Sequence, residues 1–214
     1  MRERKVTPEL LDSLPAEAPA AIRSRRELRV VNALMGNERW VIRELLAREK
    51  IAGNGIVEIG AGEGSLCRKM HAHFSNNRIC GIDLLERPAS LPQAIDWHCG
   101  NVITLDPPCG FGVLVANLFL HHFTDEELGW FAAWLPHFSL VIINEPLRRQ
   151  SAHVWGSFLR PFIGHVTRHD MHVSIDAGFL CGELPELFHE HAADWEIQEK
   201  EQWPGAQRGV WCRK

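Results

Sequence analysis

The segment Ile56-Val57-Glu58-Ile59-Gly60-Ala61-Gly62-Glu63-Gly64-Ser65-Leu66 restricts the fold more than any other part of the chain. An apolar, β-branched run breaks into three alternate glycines and re-emerges with helical patterning. That sequence reads as a strand, a tight loop and a helix opening a nucleotide-binding α/β sheet. Glycines let a backbone turn sharply and approach a ligand that any Cβ would push away. The spacing departs from the G-x-G-x-x-G of a dinucleotide fold, because Ser65 stands where the third glycine would be. Glu58 lies just ahead of the loop. An acid there repels a pyrophosphate and suits a ligand carrying an amine and a ribose.

Downstream, strands and helices alternate. Strands are expected at 56–59, 78–82 (ending at Asp83), 96–99, 112–116 and 140–144, with helices over 65–74 and 124–134. Thr124-Asp125-Glu126-Glu127 supplies a capping box for the second helix. Residues 145–177 read as a long irregular insertion and 181–191 as a helix. Residues 195–198 and 209–212 read as two strands turned at Pro204-Gly205. Such alternation predicts an α/β fold: a doubly wound, seven-stranded, mostly parallel sheet closed by a C-terminal antiparallel hairpin. Residues 1–54 read as a helical cap. Thr7 is expected to cap a first helix with Pro8 at its first position, and Pro15 and Pro19 to break it. A helix over 24–35 would close at Gly36-Asn37, and one over 38–50 would bury Trp40, Val41, Leu45 and Leu46. The whole, 1–214, reads as one domain, with 55–214 carrying the sheet and the 145–177 insertion.

In open α/β sheets, ligands bind outside the carboxyl ends of the strands. Strand-end residues therefore form a set. Asp83 lies 83 − 60 = 23 residues beyond Gly60, where an acid accepts from both ribose hydroxyls. Asn101 follows the third strand. The fourth runs into Asn117-Leu118-Phe119-Leu120-His121-His122.

The combination of E-I-G-A-G-E-G, Asp83 and Leu120-His121-His122 resembles the class I S-adenosylmethionine-dependent methyltransferases. Within them it is similar to small-molecule enzymes of the ubiquinone/menaquinone-biosynthesis type. The likeness covers 25–123 well and the rest loosely. It implies S-adenosylmethionine as cofactor, held by Glu58, Gly60, Ala61, Gly62, Gly64, Asp83, Leu84, Asn101, Val102 and Asn117. Glu58 would help hold the ammonium group, and Asn101 would take the place of an Asp that accepts from the adenine amine. The chain departs from the family at Phe111-Gly112, where a Phe-Asp pair is usual. Asp106-Pro107-Pro108-Cys109 differs from the Asp-Pro-Pro-Tyr of nucleic-acid amino-methyltransferases: it precedes the fourth strand and lacks the aromatic.

Methyl transfer needs a positioned nucleophile and, for a hydroxyl or activated carbon, a base. His121 and His122 are the first candidates, with Glu145 and His169 behind them. The expected acceptor is a small molecule, an aromatic or polyketide-like hydroxyl or an activated carbon; Trp155, Phe158 and Phe162 either make its pocket apolar or form the insertion's own small core. A binding scaffold without turnover is the alternative; a nicotinamide-dependent reductase is disfavoured by Ser65 and Glu58. A net charge of −4 without a basic block argues against nucleic acid. No apolar run suits membrane insertion, and the charged Met1–Lys5 run precedes no signal core. Six cysteines without a C-x-x-C pair read as reduced thiols of a cytoplasmic protein. His71/His73 and His189/His191, two apart on helices, do not face each other, so no metal is expected. Nothing in the sequence sets the oligomeric state.

Overall fold

The expected strands form one sheet, and those in its middle are covered on both faces. In the computed structural model, which describes residues 3–15 and 17–214, the first five are β1 (Ile56–Ile59), β2 (Ile79–Asp83), β3 (Ile95–Cys99), β4 (Val113–Asn117) and β5 (Leu140–Pro146). Met1 and Arg2 of the charged N-terminal run, and Ala16, lie outside the described residues. Every residue of β1 and β5 is buried, as a parallel sheet flanked on both sides demands. β6 (Trp195–Gln202) and β7 (Ala206–Arg213) complete one seven-stranded sheet in the order β3-β2-β1-β4-β5-β7-β6. β1 to β5 run parallel; β7 is antiparallel to β5 and β6 to β7. The outer strand β6 buries Trp195, alternates half-buried and exposed residues along most of the rest, and is rich in Glu, which discourages a further strand from adding.

The helices in chain order are α1 (Leu10–Ser13), α2 (Pro19–Met35), α3 (Asn37–Leu46), α4 (Glu49–Ala52), α5 (Ser65–His73), α6 (Gly129–Trp134), α7 (Gln150–Leu159), α8 (His165–Ala177), α9 (Glu183–Leu187) and α10 (His189–Ala192). One face of the sheet packs Trp40, Val41 and Leu45 of α3 and Leu66, Cys67 and Met70 of α5. The other packs Phe131 and Trp134 of α6, Leu184 of α9, Phe188 and Trp211. No helix among the described residues is long and apolar enough to cross a membrane.

Several expectations need correction. The 145–177 stretch is not irregular: it forms α7 and α8. Pro19 starts α2 instead of breaking a helix, its fixed φ suiting a first position. Thr7 does not cap α1, which begins at Leu10 because the distant Asp170 carboxylate accepts from the N–H groups of Leu10 (2.8 Å) and Leu11 (3.1 Å). The Thr124–Glu127 capping box forms as expected, the Glu127 carboxylate accepting the Thr124 N–H and the Thr124 hydroxyl oxygen accepting the Glu127 N–H, yet regular helix starts only at Gly129. Ile42, not Leu46, joins the buried side of α3. The 181–191 helix is two short ones.

Candidate functional site

The glycine loop leaves β1 with Gly60, Gly62 and Gly64 all in the left-handed region, at φ of 66, 54 and 70°. Their surroundings differ. A Cβ on Gly60 would sit 2.1 Å from the Phe119 ring, and one on Gly64 would sit 2.7 Å from Leu91. A Cβ on Gly62 would meet nothing within 4 Å. The middle of the loop thus faces open space, while its ends are packed. Ala61 pins the loop by donating its N–H to Ile82 at 3.1 Å.

Asp83, ending β2, faces this opening. Its carboxylate accepts the Gly62 N–H at 2.7 Å and the Leu85 N–H at 2.9 Å. Leu84, Leu85 and Ile103 are exposed apolar side chains at the neighbouring strand ends. The Asn101 side-chain oxygen accepts the Ile103 N–H at 3.0 Å. Val102 turns its side chain into the core.

Glu58 points to the α5 side and is buried. Its carboxyl partner is the Cys67 thiol, which donates at 2.9 Å. Burial pushes the carboxyl up to about 8; the Cys67 bonds oppose this, and the charges of Glu38 and Asp83 add to it.

Beyond β4 the chain makes a strained turn. Leu118 has φ +57°, a conformation costing about 1–2 kcal/mol for a residue with a Cβ. It brings three successive N–H groups onto one carboxylate. Glu145, fully buried at the end of β5, accepts from Phe119 (3.0 Å), Leu120 (2.9 Å) and His121 (3.3 Å), and from His121 Nδ1 at 2.7 Å. Glu145 is therefore a positioning residue that shapes the histidine turn. His122 Nδ1 donates to the Phe119 carbonyl at 2.9 Å. Asn117 accepts from Asn144 at 2.9 Å, and Asn144 accepts from the buried Arg208 at 3.0 Å.

Residues 3–14 lie across this turn as a strap. Arg4 bonds Asp125 and the carbonyls of Phe123 (2.9 Å) and Ala177 (3.0 Å), and stacks on Phe179. The strap delivers Glu9, one carboxylate oxygen of which lies 3.7 Å from His121 Nε2 and 3.7 Å from His122 Nε2. The Ser174 hydroxyl also bonds this oxygen. Burial works to raise the Glu9 carboxyl, but the two histidines outweigh it and hold it well below the usual range. For His122, burial disfavours the imidazolium and Glu9 outweighs that, raising it to about 9. Sequence reading missed Glu9, because nothing in its local sequence marks it.

His169 does not join this group. It pairs with Asp170 at 3.1 Å and is 40% exposed. Phe158 and Phe162 are 73% and 77% exposed, so they line neither a pocket nor a small core of their own. A cavity of about 1110 Å³ does open between α7, α8 and the strap, but its walls mix apolar side chains with the charged or titratable Lys5, Arg149, His153, Arg160, Arg168 and Asp176.

No protein-family model matches this sequence, and no curated protein matches it. Solved structures do resemble it. The plantazolicin methyltransferase BpumL, in complex with a triazolic desmethylPZN analog and SAH, superposes with a TM-score of 0.73 over 95% of this chain and 93% of that one, at 14% identity. The methyltransferase domain of bacterial CtHen1 gives 0.60 over 83% and 99%, at 15% identity. Magnesium protoporphyrin IX methyltransferase (ChlM) from Synechocystis PCC 6803, with bound SAH, gives 0.59 over 84% and 83%, at 12% identity. The chain has a methyltransferase fold.

In this methyltransferase fold, the expected cofactor residues gather at the carboxyl ends of β1, β2, β3 and β4. Gly62, Asp83, Leu84 and Asn101 border the opening; Gly60, Ala61 and Gly64 build the loop that frames it. Asn117 stands at the head of the histidine turn. Glu58 and Val102 lie beneath the surface.

Proposed function

We propose that the protein transfers a methyl group from S-adenosylmethionine to an oxygen, or to an activated carbon, of a small-molecule acceptor. The observation that carries this reading is the open face at Gly62 set against the Asp83 carboxylate. The left-handed φ of Gly62 favours glycine, and a Cβ there would meet no protein atom within 4 Å, so the space beside it is free for a ligand. The acid beside it is acceptor-only, which suits vicinal ribose hydroxyls. Leu84, Leu85 and Ile103 offer exposed apolar surface to a purine, and the buried Glu58 offers a carboxyl to an ammonium group. S-adenosylmethionine supplies an electrophilic methyl on a sulfonium. The protein's part is to aim an acceptor at it and to receive the acceptor's proton at the Glu9, His121 and His122 cluster. The fold agrees: BpumL and ChlM carry SAH, the first with a desmethylPZN analog beside it. A methyltransferase of this kind works in the cytoplasm, where its cofactor is made.

A specific observation favours a second reading, cofactor binding without turnover: His121 is 4% exposed beneath the strap. Calorimetry with S-adenosylmethionine and with NADH decides the cofactor. We expect binding of the first alone and its loss in Asp83→Ala; NADH binding alone, or no binding, overturns the proposal. A mass-spectrometric screen for methylated products then separates transfer from binding.

A further inference from the structure

We propose that Glu9, His121 and His122 form a binding site for a first-row divalent transition metal ion such as Zn2+, Co2+ or Mn2+. The argument begins with ring orientation. His121 Nδ1 faces the Glu145 carboxylate and His122 Nδ1 faces the Phe119 carbonyl. Both partners are acceptors, so both Nδ1 atoms carry the proton. Once Nε2 gives up any proton, as metal ligation requires, each ring presents a lone pair there, and both are directed at one oxygen of Glu9. Three electron-rich atoms then face one another, with His121 buried, Glu9 half-buried and His122 open to solvent on one side. That arrangement calls for a cation in their midst.

A proton on one ring does not fill the space. At 3.7 Å an N–H is beyond hydrogen-bond range of Glu9. The same 3.7 Å suits an ion, since two donors each about 2.1 Å from it subtend an angle of about 120° at that separation. Fixing ligand histidines through Nδ1 with a carboxylate or a carbonyl is how metal sites set the tautomer and ring orientation. Glu145 supplies that here for His121, and the Phe119 carbonyl supplies it for His122. Two imidazoles and one carboxylate favour a transition metal over Mg2+ or Ca2+, which prefer all-oxygen sets. Three protein ligands leave coordination positions open to an oxygen of an acceptor, a use that rests on the proposed methyl transfer; ion binding itself does not. His153, His172 and Asp176 form the other His/carboxylate group among the described residues. There Asp176 bonds the His153 ring directly at 2.9 Å and the residues are more exposed, whereas the Glu9 oxygen accepts from the Ser174 hydroxyl and leaves both imidazole Nε2 atoms 3.7 Å away.

The test uses the full-length protein dialysed against chelator and then titrated with Zn2+ by calorimetry and with Co2+ by visible absorption, without cofactor or acceptor. We expect one equivalent bound, with affinity lowered at least about tenfold in Glu9→Gln and in His122→Ala and unchanged in His153→Ala. Glu9→Gln is isosteric, and circular dichroism checks that each variant is folded. No binding by the wild type overturns the site. So does binding that survives Glu9→Gln and His122→Ala or that vanishes in His153→Ala. Because the titration reads no methyl transfer, its failure is distinguishable from failure of the proposed activity.

Discussion

Two buried carboxylates near the carboxyl edge of the sheet are treated in opposite ways. Glu145 on β5 is surrounded by donors: three backbone N–H groups and one imidazole point at it. Glu58 on β1 has only the region around Cys67 to bond to, and burial raises its carboxyl to about 8. Position in the fold does not explain the contrast, since both acids lie within two residues of a strand end. The local backbone does. After β4 the chain turns left-handed at Leu118 and sends its N–H groups toward Glu145, so that acid completes the protein. After β1 the glycine loop turns away and its middle N–H goes to Asp83. Glu58 is left short of partners, which is the state of a group that awaits a cation brought by a ligand. Under the proposed function, one carboxylate builds the site and the other belongs to what enters it.

The largest effect should come from breaking the completed side. Glu145→Leu leaves three backbone N–H groups and the His121 ring N–H without an acceptor in the interior. At about 1–3 kcal/mol for each buried unsatisfied donor, with relaxation and entering water recovering part, the expected loss is about 3–5 kcal/mol. Urea unfolding measures it. A loss under about 1 kcal/mol would mean that the histidine turn does not depend on Glu145, and the contrast with Glu58 would fail.

The glycine loop allows a finer division between residues that serve the protein and residues that serve the ligand. Gly60→Ala must enter a left-handed conformation and also meets the Phe119 ring. With strain of about 1–2 kcal/mol and overpacking of about 1–3 kcal/mol, we expect about 3 kcal/mol lost. Gly62→Ala bears the strain alone, because its Cβ would stand in open space, and should cost about 1 kcal/mol. Its effect on S-adenosylmethionine affinity should nevertheless be the larger relative to its stability cost. Thermal unfolding and calorimetry on both variants check the order. If Gly62→Ala leaves affinity intact, the opening is not the cofactor's.

The same division explains what could be read from the sequence. The glycine loop, Asp83 and Asn101 belong to short strand-loop-helix units, so their spacing announced them. The acceptor side is assembled by tertiary packing. Glu9 acquires its meaning only when Asp170 of α8 caps α1 and Arg4 ties the strap to Phe123 and Ala177. α7 and α8 were hidden for a related reason. α8 is rich in β-branched residues (Val166, Thr167, Val173 and Ile175) that lower helix propensity. α7 carries Gly156 in its interior. That glycine is where the two helices come close, since a Cβ there would lie 2.9 Å from the end of the Met171 side chain. Packing, not propensity, makes this pair helical, so a local reading registers only interruption. Phe158 and Phe162 misled for the converse reason: aromatic residues in an insertion suggest a pocket, yet these two stay on the surface.

An effect that vanishes at low pH tests the awaiting carboxylate itself. The Glu58 carboxyl has an ordinary value of 4.5 and is raised to about 8 in the folded chain. Between those limits the folded state holds a proton that the unfolded state has released, so stability falls as pH rises from about 4.5 to about 8. Below that window both states are protonated and Glu58 carries no such penalty. Glu58→Gln does not titrate. It should unfold at nearly the wild-type temperature at about pH 4.5 and gain progressively above it, by about 1–2 kcal/mol at about pH 8 once relaxation around the ionised group is allowed for. The gain in stability should accompany a loss of S-adenosylmethionine affinity, because an amide cannot pair with the cofactor's ammonium group. A Gln variant less stable than wild type at the top of that window would show that Glu58 is as well satisfied as Glu145. A variant more stable yet unchanged in affinity would show that its shortage of partners serves no ligand. Only greater stability together with weaker binding fits a carboxylate kept short of partners for the cofactor.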